Sequence, residues 1–237
     1  MKRQSDEVKR MSNYFNLKKE GGVAVLTFDR LEKRNPLNED SVSEFEANLI
    51  HIRDDEDLRA LLLTGSGNTF SAGADLSRLK GVTDQAERQR IFTSVAPRRR
   101  RGLRRALALL TDMEVPTVAA INGYAVGGGW FIALACDLRI AADDAEFWMP
   151  EVDLGSPGPR APEQWLAAHV GAARAKEIIF TCRHFKADEL YSWGLLNRVV
   201  RKEQLIPAAM ELAQSLAGKN PKAIAQAKSN INGFFLE

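Results

Sequence analysis

The chain has little cysteine and little histidine: two cysteines, Cys136 and Cys182, and three histidines, His51, His169 and His184. With no CxxC pair and no Cys/His cluster, a disulfide framework is excluded and nothing points to a zinc site. The two thiols are expected to be free and buried, and no histidine is assigned a metal or catalytic role. An excess of charge of one sign is also missing. Lys+Arg 33 against Asp+Glu 31 gives a formal net charge of +2, which offers no basis for a nucleic-acid partner or a membrane-bound face. No apolar run approaches the length of a membrane span, and the opening "MKRQSDEVKRMSNYF" lacks the apolar centre of a secretory signal. A soluble, cytoplasmic protein is therefore expected. Neither GxGxxG nor GxxxxGK[ST] occurs, so no dinucleotide fingerprint or P-loop is present.

What the chain has is enough apolar material for one large domain, or one core with a small appendage: 237 residues, 45% of them hydrophobic. Short strands and helices alternate. "VAVLTF" (Val23 to Phe28), "ALLLTG", "TVAAI", "DLRIAA" and "EFWM" read as strands. From Asn38 to about Ile52, apolar Val42, Phe45, Leu49 and Ile52 fall on one side of a helix. A long helix is expected from about Asp84 to Thr111, with Pro97 as the place for a break. Beyond Pro162 the pattern is mostly helical, and "ADELYSWG" and "KEQLIPAAMELAQSLAG" both end in glycine. The order predicts an α/β layered fold with a helical C-terminal region.

Two glycine-rich segments ask for an explanation. "NTFSAGADLSRL" (Asn68 to Leu79) reads as a strand end, a sharp turn at Gly73 and a helix-like continuation. "NGYAVGGGWFIALACD" (Asn122 to Asp137) sets Gly127, Gly128 and Gly129 before a helix that is apolar on every side. Glycine allows close approach of backbone to a ligand, and the N–H groups at a helix start lack intrahelical partners. Two such N–H groups converging on one point form an oxyanion hole. Tight helix–strand packing explains the same glycines without chemistry.

Taken together, "FSAGADL", "VPTVAAINGYAVGGG" and "ALACDLRIAADDAEFWMPEVDLG", in this order and spacing, resemble the enoyl-CoA hydratase/isomerase (crotonase) family. The resemblance begins at "VAVLTFDRLEKRNPLN" and runs through "GLLNRVV" to "NPKAIAQAKSNIN", covering almost the whole chain. It implies a crotonase-like spiral of ββα units over residues 16–190, preceded by an N-terminal extension (1–15) and followed by a helical C-terminal region (191–237) shorter than is usual for the family. It further implies a coenzyme A thioester as substrate, with CoA present only as part of that substrate and no separate cofactor, and assembly as a homotrimer or dimer of trimers. The oxyanion donors it implies are the backbone N–H groups of Ala74 and Gly128. Lys33, Arg34 and Leu37 of "EKRNPLN" are placed beside the adenosine end of CoA, and Ala72 beside the pantetheine. Asp75 is read as capping the following turn.

Two departures bear on the reaction. Hydratases of the family use two glutamates. The one in the "PE" motif is present as Glu151, but the position two residues after the glycine triplet is Phe131, which can neither give nor take a proton. A single glutamate still suffices to shuttle a proton between Cα and Cγ of an enoyl thioester, as in family members that convert 3-enoyl-CoA to 2-enoyl-CoA. Phe131, Trp148 and Trp130 would make its surroundings apolar, with Trp130 better read as core. The second departure is "SPGPRAPEQWL", where Pro159 and Pro162 lack backbone N–H groups that relatives present at a glycine-rich turn. Arg160 and Glu163 add charges there, read as facing solvent, with a polar acyl group as the alternative, and Asp153 ranks as a weak second acid. The run "PRRRRGLRRA" reads as a solvated helix face or subunit contact, with attraction of an acidic acyl group or of CoA phosphates as the alternative. Lys228 is assigned to packing or a CoA phosphate. Other family chemistry, including hydration, decarboxylation or hydrolysis, and a non-catalytic acyl-CoA-binding role stay open at this point.

Overall fold

The computed structural model describes residues 14–155 and 160–233, apart from the side chains of residues 93, 95 and 96. Most of the expected N-terminal extension, Pro159 and the last four residues lie outside that range.

The first strands, β1 (Phe15–Glu20) and β2 (Val23–Phe28), form an antiparallel hairpin. Helix α1 (Glu39–Arg53) follows. Asn38 and Ser41 close a reciprocal cap at its start, and Val42, Phe45, Leu49 and Ile52 are all buried, as their spacing predicts.

From here the chain repeats a two-strands-then-helix unit. The first turn is β3 (Ala60–Gly65), β4 (Thr69–Ser71) and α2 (Gln85–Thr111). The second is β5 (Thr117–Ile121), β6 (Tyr124–Val126) and α3 (Gly128–Ala135). The third is β7 (Leu138–Ala142), β8 (Glu146–Trp148) and α4 (Arg160–Val170). The chain then forms α5 (Ala172–Thr181), β9 (Phe185–Lys186), α6 (Ala187–Ser192), β10 (Arg198–Val200), α7 (Leu205–Ala217) and α8 (Pro221–Gly233).

The leading strand of each unit joins a six-stranded sheet of order β1-β2-β3-β5-β7-β10, parallel except for the β1–β2 hairpin. The second strands stack into a smaller sheet, β4-β6-β8-β9, parallel except at β8–β9. Each turn thus lies beside the one before it, which is the ββα spiral that the resemblance implies. Leu61, Leu62 and Leu63 are fully buried in succession because both faces of the larger sheet are covered, on one side by α7 through Leu205, Ala209 and Ala213.

Pro97 does not break α2, which runs as one 27-residue helix with the proline inside it. Phe92 below it and Leu103, Ala106, Leu107 and Leu110 above it are buried on one face, so packing on both sides holds the helix together despite the lost hydrogen bond. The continuation after Gly73 is only a 3₁₀ turn, Ser77–Leu79. Cys136 and Cys182 are buried free thiols. Among the described residues no helix is long and apolar enough to cross a membrane.

Candidate active site

Because β4, β6 and β8 are neighbours in one parallel sheet, the segments that leave them are neighbours too. Ser71 pairs with Ala125, Ala125 with Phe147, and Val126 with Trp148. Ala72–Ala74, Gly127–Gly128 and Pro150–Glu151 therefore come out of three successive turns at one place. They line a cavity of about 920 Å³ bounded also by α2, α3 and the start of α4.

The first of these segments is tied down by "EKRNPLN". The Leu37 N–H donates to the Gly73 carbonyl at 2.6 Å and the Asp75 N–H to the Leu37 carbonyl at 2.9 Å. This is a single parallel bridge between Leu37 and Ala74, and in such a bridge the central residue's own N–H points to the opposite side. Ala74 accordingly has no partner for its N–H among the described residues. Arg34 and Asn35 hold left-handed backbone (φ 61 and 53). The buried Asn35 amide donates to the carbonyls of Ser66 and Thr69 at 3.1 and 2.7 Å, which fixes the loop. Lys33 and Arg34 are exposed and do not line the cavity, whereas Leu37 and Ala72 do. The Asp75 carboxylate caps the turn, accepting from the Ser77 N–H at 2.9 Å. Burial raises its pKa, but Ser77, Arg30 and Lys33 outweigh that and hold it below the ordinary value.

The second segment explains the glycine triplet. Gly127 has φ 47, and a Cβ there would sit 2.6 Å from Glu151 Oε1. A Cβ on Gly129 would lie 2.6 Å from Ser71 Cβ, so this glycine serves close helix–strand packing. Between them Gly128 is the first residue of α3, and its N–H has no partner among the described residues. The two loops touch: a Cβ on Gly73 would come within 3.5 Å of the Gly128 nitrogen. Helix α3 is buried on every side, Trp130 fully, with Phe147 at 5.3 Å between ring centroids. At its far end buried Arg139 donates to the carbonyls of Leu134 and Cys136 at 3.3 and 2.7 Å, satisfying the helix C-terminus and anchoring the element.

Glu151, from the third segment, lines the cavity with one carboxylate oxygen, Oε2, buried and without a hydrogen-bond partner among the described residues. Burial, with nearby Glu163 adding to it, pushes the carboxyl up to about 7 against the pull of its own backbone N–H and of Arg99 and Arg100. Phe131 and Trp148 line the same cavity. Trp148 is held by stacking on His184, 4.0 Å between centroids, and by the edge of Tyr124.

Glu163 is half-buried and outside the cavity lining, and Asp153 is exposed and also outside it. Arg160 is exposed, as read, and it also lines the cavity. Lys228 is engaged internally, donating to Asp137 at 2.9 Å and to the Val115 carbonyl at 3.3 Å, which docks α8. The arginine run contains the residue that sequence reasoning missed. Arg99 is 8% exposed and lines the cavity instead of a solvated face. Its signal was there: it lies seven residues after Phe92 and four before Leu103, on the apolar stripe of α2. No group of three or more His, Cys, Asp or Glu suited to a metal occurs among the described residues.

The family model for enoyl-CoA hydratase/isomerase matches residues 18–235. The chain belongs to this family of crotonase enzymes. It is 38% identical over 218 residues to a short-chain-enoyl-CoA hydratase of Clostridium acetobutylicum, covering 91% of this chain and 80% of that one. It is 35% identical to a crotonyl-CoA hydratase of Syntrophomonas wolfei, with the same coverage. Among solved structures, an enoyl-CoA hydratase from Bacillus anthracis matches with a TM-score of 0.84 at 30% identity, over 95% of this chain and 84% of that one.

Proposed function

We propose that the protein is an acyl-CoA-processing enzyme that stabilises a thioester enolate with the N–H groups of Ala74 and Gly128 and moves one proton with Glu151, an isomerase-type reaction. The thioester oxygen accepts from both N–H groups, each worth roughly 2.7–4 kcal/mol to a developing oxyanion. Glu151 takes a proton from Cα of a 3-enoyl thioester, the electrons delocalise to the carbonyl oxygen, and the carboxyl, exchanging its proton with solvent while the enolate stands, delivers a proton at Cγ as the double bond moves to position 2. A carboxyl that titrates near 7 suits both halves of this exchange.

The observation that carries the reading is the pairing of one unpartnered, buried carboxylate oxygen on Glu151 with Phe131 at the other expected acid position. The two-carboxylate route to hydration needs a second acid–base group beside Glu151, and the other glutamate in electrostatic reach, Glu163, is off the cavity wall. The named relatives are hydratases, so the products decide. Incubated with a 3-enoyl-CoA in deuterated water, the protein is expected to yield the 2-enoyl ester with deuterium incorporated and little 3-hydroxy product, and Phe131→Glu is expected to raise hydration. Efficient hydration by the unaltered chain, or the absence of both isomerisation and exchange, would overturn this mechanism.

A further inference from the structure

Arginines close together on α2 are treated differently. Arg98 and Arg105 face α1 and meet acids there: Arg98 lies 3.9 Å from Glu39, and Arg105 donates twice to Glu46, both at 2.9 Å. Arg99 does the opposite. It occupies a position on the buried stripe of the helix where an apolar side chain belongs, stays 8% exposed, and makes neither a hydrogen bond nor an ion pair with any described residue. Its guanidinium lies over the Phe92 ring, 5.4 Å from the centroid, and what remains open faces the cavity.

Burying a guanidinium without an anion is costly, and the cost is recovered when an anion is bound. The carboxylates in electrostatic reach are Glu151 and Asp75. Neither forms an ion pair with it, and Asp75 is already engaged by Ser77. Arg100, Arg101, Arg104 and Arg160 line the same cavity, against Glu151 and Asp112 as its acids. The wall is thus strongly cationic around its one buried arginine. An arginine presents a planar fork that fits a carboxylate with two hydrogen bonds.

We propose that the acyl group of the substrate carries a carboxylate of its own, and that Arg99 receives it. The inference rests on the reading of the cavity as an acyl-CoA site and names the class of acyl group it takes, a dicarboxylic half-thioester. The phosphates of CoA are the other anions that arginines here can meet, but they are identical in every CoA ester and cancel when two esters are compared.

The test is therefore a ratio. Isothermal titration of the full chain with succinyl-, glutaryl- and adipyl-CoA against butyryl-, pentanoyl- and hexanoyl-CoA compares esters of matched length that differ in the terminal carboxylate. At least one acidic ester is expected to bind about 10- to 100-fold more tightly than its neutral counterpart, the worth of hydrogen bonds between charged groups. Arg99→Gln should bring that ratio close to one. Arg99→Lys, which keeps the charge and loses the fork, should retain only part of it and carries the test if the glutamine variant does not fold. Equal affinities at all three lengths, or an undiminished ratio in Arg99→Gln, would overturn the assignment while leaving the CoA site standing. Failure of every ester to bind would remove both.

Discussion

Glu146 and Glu151 lie on one short stretch of chain, at the beginning of β8 and just past its end, and they are treated in opposite ways. Glu146 is bonded to Lys186 and His184, and these partners, Lys186 first, hold its carboxyl below the ordinary value. Glu151 has an oxygen with no partner, and burial raises it to about 7. Partners stabilise the ion where a glutamate only has to hold strands β8 and β9 together. Withholding partners keeps a proton available where the side chain faces a cavity.

That contrast can be pushed from both sides. The largest change expected short of removing Glu151 itself comes from the donors that share its cavity. Gly128→Pro deletes one N–H at a helix position where proline is otherwise tolerated, and turnover should fall about 10²–10³-fold. A melting curve close to that of the native chain would show that Leu37 and Leu103, 3.1 and 3.3 Å from a Cβ there, have made room. Unchanged turnover in such a folded variant would remove Gly128 from the mechanism.

Stability against pH gives the next effect. Below about pH 4.5 Glu151 is protonated in both the folded and the unfolded chain. Between there and about 7 the unfolded chain sheds the proton while the folded one keeps it, so stability falls as pH rises. Above 7 the full penalty persists, on the order of 3 kcal/mol. Glu151→Gln should thus be more stable than the native chain at pH 8 and equal to it at pH 4, as denaturant titrations at the two pH values will show. Glu146→Gln should do the reverse and by less: a surface pair is worth about 0–1 kcal/mol, present at neutral pH and lost as pH falls through the depressed carboxylate range. Equal stability of Glu151→Gln and the native chain at both pH values would mean that Glu151 is not held in its raised state.

Much of this was legible in the sequence where a local rule governs. Strands β2, β3, β5 and β7, the buried face of α1 and the glycine before α3 follow from alternation, helical spacing and backbone freedom. Glu151 was legible only through its motif, since nothing local sets "PE" apart from a surface carboxylate. The strand β9 was missed because two residues carry too little pattern. The length of α2 was legible, but whether Pro97 breaks it was not, because tertiary packing overrides a single proline. Arg99 was hidden by its neighbours: in a run of four arginines, charge alone does not say which one the helix turns inward, and only the phase set by Phe92 and Leu103 decides it. Asn35, whose amide locks the loop that orients Ala74, has partners at Ser66 and Thr69 that no short-range rule brings to it.

The central claim is that Glu151 alone carries the proton. Its most direct test is the rate of deuterium incorporation from solvent at Cα of a bound acyl- or enoyl-CoA, measured by mass spectrometry for the native chain, Glu151→Gln and Glu146→Gln. Loss of an acid–base group costs about 10²–10⁴-fold, so exchange should drop by that order in Glu151→Gln while CoA esters still bind, and Glu146→Gln should exchange as the native chain does. Full exchange in Glu151→Gln would contradict the single-glutamate mechanism.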